Sequence, residues 1–89
     1  MTFIIQRSCK RDDATFTLSG RLNGEEVAEL QRVFKAEVQD HRIVLDLQEV
    51  GLVNLDAVRF LAHCEENGIK LKNCPAYIRE WILREELRG

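Results

Sequence analysis

The chain has 89 residues and a mass of 10.3 kDa, the size of one domain, and we interpret residues 1–89 as a single domain. Hydrophobic residues make up 45% and charged residues 31% of the sequence, which is too apolar and too evenly charged for a disordered chain. The formal net charge is −2, without a basic excess, which disfavours nucleic-acid binding. The longest uncharged apolar stretch, Val50 to Leu55, is too short to span a membrane, and the N-terminus lacks a signal-peptide pattern. We therefore expect a cytoplasmic protein without membrane insertion.

The periodicity of apolar residues predicts alternating strands and helices in the order β-β-α-β-α-β-α. Their ranges are, in chain order, strands over 3–9 and 14–19, a helix over 25–38, a strand over 43–47, a helix over 55–66, a strand over 69–72 and a helix over 75–87.

The first half of this pattern is a hairpin followed by a helix and a central strand. Phe16 and Leu18 alternate with hydroxyl residues, which is typical of a half-buried strand, and residues 20–24 have the composition of a loop. The apolar run over 43–47 fits a central strand covered on both faces. Asp46, at the end of this strand, is expected to accept hydrogen bonds from loop N–H groups.

The second half carries clear signals for the ends of its elements. Asn54 is a suitable N-cap for the helix over 55–66, and Gly68 ends that helix with a left-handed backbone. Lys70 and Lys72 alternate with apolar residues, which indicates a solvent-facing side or an edge of the sheet.

The last helix is unusually apolar for so small a domain. Ile78 and Ile82 are expected in the core. Tyr77 and Trp81 are open between a core position and an aromatic anchor for a partner or a second copy, so a homodimer is one expectation for this surface.

These elements predict an α/β fold, because each β-α-β step should be a right-handed crossover between parallel strands. The expected architecture is a mixed four-stranded sheet packed against helices. The loop at Asn23–Gly24 and the loop over 52–56 both follow parallel strands, so we expect them at the same end of the sheet, where a partner would dock.

The three cysteines do not form the even, regularly spaced set of a disulfide framework. We expect Cys9, Cys64 and Cys74 to be free thiols that act as small hydrophobic residues, with Cys64 in the core. His63 lies beside Cys64, but neighbours on a helix point about 100° apart, so this pair does not suit thiolate activation. The sequence has no Cys-x-x-Cys or His-x-x-x-His spacing, and we predict no metal, no cofactor and no catalytic residue.

Several segments together resemble the STAS domain, the fold of bacterial anti-sigma factor antagonists. They are Leu18-Ser19-Gly20-Arg21-Leu22, Ile43-Val44-Leu45-Asp46-Leu47, Val53-Asn54-Leu55-Asp56-Ala57-Val58 and Gly68-Ile69-Lys70-Leu71, with the helix after Pro75. The resemblance covers nearly the whole chain. It implies a STAS-like fold and a regulator of bacterial transcription that works by partner switching.

One motif departs from the family pattern at the start of the second helix. In the family this loop usually reads Asp-Ser-Ser/Thr-Gly-Leu, and its second hydroxyl residue is phosphorylated by a partner kinase. The matching positions here hold Asn54, Leu55, Asp56, Ala57 and Val58. Asp56 therefore occupies the acceptor position, and the sequence has no Ser or Thr after Ser19. Tyr77 is the only hydroxyl side chain from residue 20 to residue 89.

Asp56 has two readings, which are compatible. A carboxylate carries one negative charge, against about 1.5 to 2 for phosphoserine, so Asp56 could hold the loop in a partly phospho-like electrostatic state. It could also simply stabilise the helix start, an effect of about 0.3–1 kcal/mol.

We interpret the chain as a non-enzymatic regulatory module that binds a protein. The residues predicted to contact the partner are Asn23, Gly24, Val53, Asn54, Leu55, Asp56, Ala57 and Arg59. The resemblance implies an anti-sigma factor or kinase-type partner, bound without a phosphorylation switch, so that a sigma factor is freed. One alternative is a small STAS subunit that docks on the ATPase of a lipid-transporting ABC complex. A less favoured alternative is a thiol-dependent redox protein that uses Cys64 or Cys74.

Overall fold

The computed structural model describes residues 3–36 and 42–87, and in these ranges the chain forms four strands and three helices in the expected order. They are β1 (Ile4–Lys10), β2 (Asp13–Leu22), α1 (Gly24–Ala36), β3 (Arg42–Val53), α2 (Leu55–Glu66), β4 (Lys70–Lys72) and α3 (Ala76–Leu87). The predicted α/β class and element order are confirmed. The end of the first predicted helix, at 37–38, lies outside the described residues.

The strands form one mixed sheet in the order β1-β2-β3-β4. β1 pairs with β2 in the antiparallel sense, whereas β2 with β3 and β3 with β4 are parallel pairs. β4 is a short edge strand in which Lys70 and Lys72 are exposed, as the lysine pattern predicted. Short strands that carry lysine are a common protection of sheet edges against unwanted strand pairing.

The central strand is longer than the apolar run over 43–47 predicts. β3 continues to Val53 and remains paired with β2 as far as Leu22. Two register shifts opposite residues 17–21 admit extra residues into β3, and Gly20 has a φ of 105° beside the second shift. The prediction of a loop from residue 20 was therefore wrong, because bulges allow a strand to continue where its apolar alternation is broken.

Asp46 lies inside β3 rather than at its end, as a consequence of this extension. Its Oδ1 accepts a hydrogen bond from the Gln48 backbone N–H at 3.1 Å and one from Asn73 Nδ2 at 3.2 Å. The carboxylate thus satisfies a backbone N–H beside the first bulge and connects β3 to the segment that leads into α3.

The core lies between one face of the sheet and the helices. On β2 the side chains of Ala14, Phe16 and Leu18 are buried, and the alternate residues are half-buried. The Phe34 ring of α1 lies 5.6 Å from the Phe16 ring and 5.9 Å from the Phe60 ring of α2, measured between ring centroids. These tilted and offset ring contacts join the sheet, α1 and α2 in one cluster.

The other face of the sheet is only partly covered, which corrects the prediction of a central strand covered on both faces. Leu45 and Leu47 of β3 are fully buried, whereas Val44 and Asp46 are half-buried. The reason is that α1, α2 and α3 all pack into the cluster that contains Leu45.

The ends of α2 are set by local signals. Asn54 has an extended backbone and its Oδ1 accepts a hydrogen bond from the Ala57 N–H at 3.0 Å, which confirms the predicted N-cap. Gly68, with a φ of 85°, takes the left-handed conformation just after the helix. The helices are 12 or 13 residues long, and within residues 3–36 and 42–87 none is long and apolar enough to cross a membrane.

We expect Leu45→Ala to lower the free energy of unfolding by about 2–5 kcal/mol, because it leaves a cavity where β3 meets the helices. Leu87→Ala is the matched control, since Leu87 is 87% exposed and the same change should stay within about 0.5 kcal/mol. Urea denaturation monitored by circular dichroism measures both. Equal effects of the two substitutions would contradict the described core.

Candidate functional site

The last residues of β2 and β3 bring two helix starts together. Leu22 and Val53 are register partners, and the Asn54 N–H donates a hydrogen bond to the Leu22 carbonyl oxygen at 3.3 Å. Each strand is followed almost at once by a helix, α1 from Gly24 and α2 from Leu55. The predicted proximity of the two loops is therefore confirmed, because both follow the carboxyl ends of adjacent parallel strands.

The start of α1 is closed by its own backbone and one glutamate. The Val27 N–H donates to the Asn23 carbonyl oxygen at 2.9 Å, which is the first hydrogen bond of the helix. Glu26 Oε1 in turn accepts from the Asn23 N–H at 3.2 Å. This contact is the backward half of a capping box, and it occupies the Glu26 carboxylate.

The carboxylate of Asp56 lies beside the start of the neighbouring helix. A Cβ atom placed on Gly24 would be 3.6 Å from Asp56 Oδ2, so the two helix starts are in direct proximity. Asp56 is exposed, and within the described ranges its side chain makes neither a hydrogen bond nor an ion pair. Its position at the start of α2 and beside that of α1 is favourable for a negative charge, because helix N-termini carry partial positive charge.

The start of α3 joins the same surface through a tyrosine. The Tyr77 hydroxyl donates a 2.7 Å hydrogen bond to the Gly51 carbonyl oxygen near the end of β3, and the residue is 46% exposed. We call this surface the carboxyl end of the sheet and define it by Asn23, Gly24, Leu52, Val53, Asn54, Leu55, Asp56 and Tyr77. Tyr77, which the sequence suggested for a second interface, thus belongs to the first.

Some of the predicted contact residues are exposed and free to meet a partner, whereas others are buried or already hydrogen-bonded within the chain. Gly24, Leu55 and Asp56 are exposed at the carboxyl end of the sheet. Ala57 is fully buried, so its side chain is not part of this surface. Asn54 is exposed but caps α2, and Asn23 and Val53 are half-buried.

Arg59 lies on the exposed flank of α2, as predicted, but it is held by α3. Its Nε atom is 3.3 Å from Glu85 Oε1, and the Glu85 side chain is only 11% exposed. A second ion pair joins the same helices, with Arg79 Nη1 2.7 Å from Glu65 Oε1. The hydrogen bond to Glu65 raises the pKa of Arg79. The two ion pairs fix α3 against α2.

The other aromatic residue of α3 has a different environment. Trp81 is half-buried and packs against the core, next to Ile78 and Ile82, which are fully buried as predicted. Trp81 therefore does not belong to the surface that contains Tyr77.

Leu52 lies in the loop over 52–56 where the sequence predicts docking, although it is not among the individual residues predicted to contact the partner. It is 56% exposed, although its neighbours Val50 and Val53 are buried and half-buried respectively. The register shift between Gly20 and Arg21 reorients this part of β3. Apolar alternation in one strand does not reveal such a shift, so no local signal marks Leu52 as a surface residue.

The three thiols differ in environment. Burial raises the pKa of the Cys64 thiol to about 12, and burial also raises the pKa of half-buried Cys74, with Arg79 acting in the opposite direction. Cys9 is exposed on β1, so the prediction that all three act as small hydrophobic residues was wrong for this one. Among residues 3–36 and 42–87, no three or more His, Cys, Asp or Glu side chains gather as a metal site.

Comparison with known proteins identifies the fold. The chain is similar to an uncharacterized protein of the DUF3478 family from Shewanella loihica PV-4, which has a SpoIIAA-like fold. The TM-score is 0.57 at 15% sequence identity, over 94% of this chain and 75% of that chain. The predicted STAS-type fold is thus confirmed, and at this identity the similarity establishes the fold alone. Neither a protein-family profile nor a curated protein sequence matches the chain.

We expect a disulfide reagent at about pH 8 to label Cys9 first and Cys64 last in the folded protein. The reason is that only the thiolate reacts, and a thiol of pKa about 12 is almost entirely protonated at that pH. Mass spectrometry of the labelled peptides measures the order, and labelling in urea, where all thiols should react, is the control. Rapid labelling of folded Cys64 would contradict the described burial.

Proposed function

We propose that this chain is a non-enzymatic regulatory module of the anti-sigma factor antagonist type. It binds a protein partner through the carboxyl end of the sheet, without a Ser/Thr phosphorylation switch at the start of α2. The SpoIIAA-like fold supports this proposal at the level of architecture. The residues on one surface support it at the level of the site.

The observation that carries the proposal is that exposed apolar side chains and a carboxylate without a partner among the described residues lie together at the carboxyl end of the sheet. Leu52, Leu55 and Tyr77 are 56%, 37% and 46% exposed and belong to the same end of the sheet. Exposed apolar residues beside polar ones mark protein interaction sites, and aromatic anchors contribute strongly to binding energy. Asp56 adds one fixed negative charge to this surface.

The residue types at the start of α2 support binding without a Ser/Thr phosphorylation switch. No Ser or Thr occurs after Ser19, and the position that matches the family's acceptor is Asp56. Ser/Thr kinases phosphorylate hydroxyl groups, so Asp56 carries its negative charge without the serine switch. The Tyr77 hydroxyl, the remaining hydroxyl at the carboxyl end of the sheet, is engaged with the Gly51 carbonyl oxygen.

The thiol-dependent alternative has less physical support. A reactive cysteine needs a stabilised thiolate, and Cys64 is buried with its pKa raised to about 12. The pKa of Cys74 is also raised, despite the nearby Arg79 guanidinium. Neither thiol has the electropositive, accessible environment of a redox site.

A pair of matched substitutions tests the docking surface. Leu52→Arg should abolish retention of the partner, because it places a large charged side chain among the apolar contacts. Leu87→Arg is the same chemical change on a highly exposed residue at the far end of α3 and should leave retention unchanged. Affinity purification from the source organism followed by quantitative mass spectrometry measures retention of each protein.

Three results of this experiment are decisive. Proteins retained equally by the parent chain and Leu52→Arg, when both are folded by circular dichroism, would contradict docking at the carboxyl end of the sheet. Among proteins lost selectively in Leu52→Arg, a kinase-like ATPase supports the antagonist proposal. An ABC-type ATPase would instead assign the chain to a transport complex.

We expect phosphopeptide mapping of the native protein to find no phosphoryl group on residues 54–58. Asp56→Ser restores the hydroxyl that the family uses, and this variant, incubated with the purified kinase-like partner and ATP, is the informative comparison. Phosphorylation of the variant but not of the parent chain is the expected result. A modified residue in the parent segment would refute binding without a switch.

A further inference from the structure

We infer that the partner presents an arginine or lysine side chain whose cationic head binds the Asp56 carboxylate. The inference rests on the proposed function and names the chemistry of the surface that fits the carboxyl end of the sheet. It is carried by the exposed Asp56 carboxylate, which has no partner among the described residues, by the lack of a side chain on Gly24 beside it and by the ion pair that holds the Arg59 side chain against α3.

Of the acidic side chains near the carboxyl end of the sheet, Glu25 and Asp56 are exposed and have no partner among residues 3–36 and 42–87. Glu26 Oε1 accepts from the Asn23 N–H, and Asp46 Oδ1 accepts from Gln48 and Asn73. Asp56 is exposed and makes no hydrogen bond or ion pair with any described residue. It therefore keeps its full hydrogen-bonding capacity for a donor from outside the chain.

Arg59 is the cation expected to pair with Asp56 along α2. Residues three apart on a helix are neighbours, so an Asp56–Arg59 ion pair would be the expected contact along α2. Arg59 Nε is instead 3.3 Å from Glu85 Oε1 on α3. Glu85 thus holds the Arg59 side chain against α3, and Asp56 has no cationic side-chain partner among residues 3–36 and 42–87.

The start of α1 lies beside the Asp56 carboxylate. Gly24 has no side chain, and a Cβ atom there would already stand 3.6 Å from Asp56 Oδ2. A side chain at this position would contact that oxygen at an ordinary van der Waals distance. Glycine at the start of α1 therefore leaves the carboxylate without a side-chain contact from this position.

Exposed apolar side chains lie next to the Asp56 carboxylate. Arginine and lysine carry aliphatic stems that pack along apolar groups while the charged head reaches a polar partner. Leu55 is adjacent to Asp56 in the chain, and Leu52 and Tyr77 extend the exposed apolar surface. An aliphatic stem with a cationic end matches both parts of this surface, whereas an acidic side chain would be repelled.

The test uses two small probes of nearly the same shape, N-acetyl-arginine amide and N-acetyl-citrulline amide, which differ in the charge of the head group. Nuclear magnetic resonance titration of the ¹⁵N-labelled chain should show tighter binding of the arginine probe, by about two- to five-fold, as for an exposed ion pair. The largest shifts should fall on the amides of Gly24, Leu55 and Asp56. Salt at about 0.5 M should remove most of the difference.

Two variants keep the inference falsifiable. Asp56→Asn should bind both probes equally, and Glu85→Gln should reduce the preference for arginine, because released Arg59 can then pair with Asp56. Equal affinity of the unmodified chain for both probes, or a preference that persists in Asp56→Asn, would overturn the inference. These results are independent of the partner-retention experiment, in which only Leu52→Arg decides whether the carboxyl end of the sheet is the docking surface.

Discussion

The parallel pairing of β2 and β3 up to their last residues is the constraint on which the site depends. Leu22 and Val53 are partners in register, and the next residue of each strand already belongs to a helix connection. If β3 ended at residue 47, the segment that leads to α2 would have to cross open space, and Asp56 would have no fixed relation to Gly24. Continuous backbone pairing, including two bulges, therefore determines where the charge of α2 stands.

α3 makes this arrangement rigid and also shapes its electrostatics. Its ion pairs to α2 and the hydrogen bond from Tyr77 to the Gly51 carbonyl fix it against both the neighbouring helix and the strand end. Both pairs are partly buried, and the solvent that still reaches them limits their contribution to stability. Their larger consequence is geometric. Glu85 holds the Arg59 side chain against α3. A contact between α2 and α3 therefore leaves Asp56 without a cationic partner among the described residues at the carboxyl end of the sheet.

The elements with local signals could be predicted from the sequence, and those set by distant contacts could not. The bounds of α2 follow from Asn54 and Gly68, which fix the helix ends through their own backbone preferences, and the structure reproduces residues 55–66. The length of β3 depends on register shifts relative to β2, a relation between segments some 30 residues apart, and apolar alternation in β3 does not encode it.

The candidate site also combines features that the sequence predicts with features that depend on distant contacts. The proximity of the two loops was predictable because it follows from the β-α-β crossover alone. The engagement of Arg59 by Glu85 was not, because residues 26 apart meet only through the packing of α2 on α3. Ala57 was predicted as a contact residue from its place in the helix-start segment, but its side chain is fully buried and belongs to the core cluster.

A permanent carboxylate and a phosphoserine act differently at the same helix start, and the difference determines what kind of regulator this fold can be. A phosphoryl group adds close to two charges and three acceptor oxygens, and it is removed by hydrolysis, so it changes affinity in time. Asp56 adds one charge that folding places beside two helix starts and that does not depend on a Ser/Thr kinase or phosphatase. Its effect is on selectivity, because a fixed charge favours partners with a complementary cation and disfavours those that present an acid. Under the proposed function, regulation is then expected to depend on the concentrations of the chain and its partner, since the serine switch does not act at position 56.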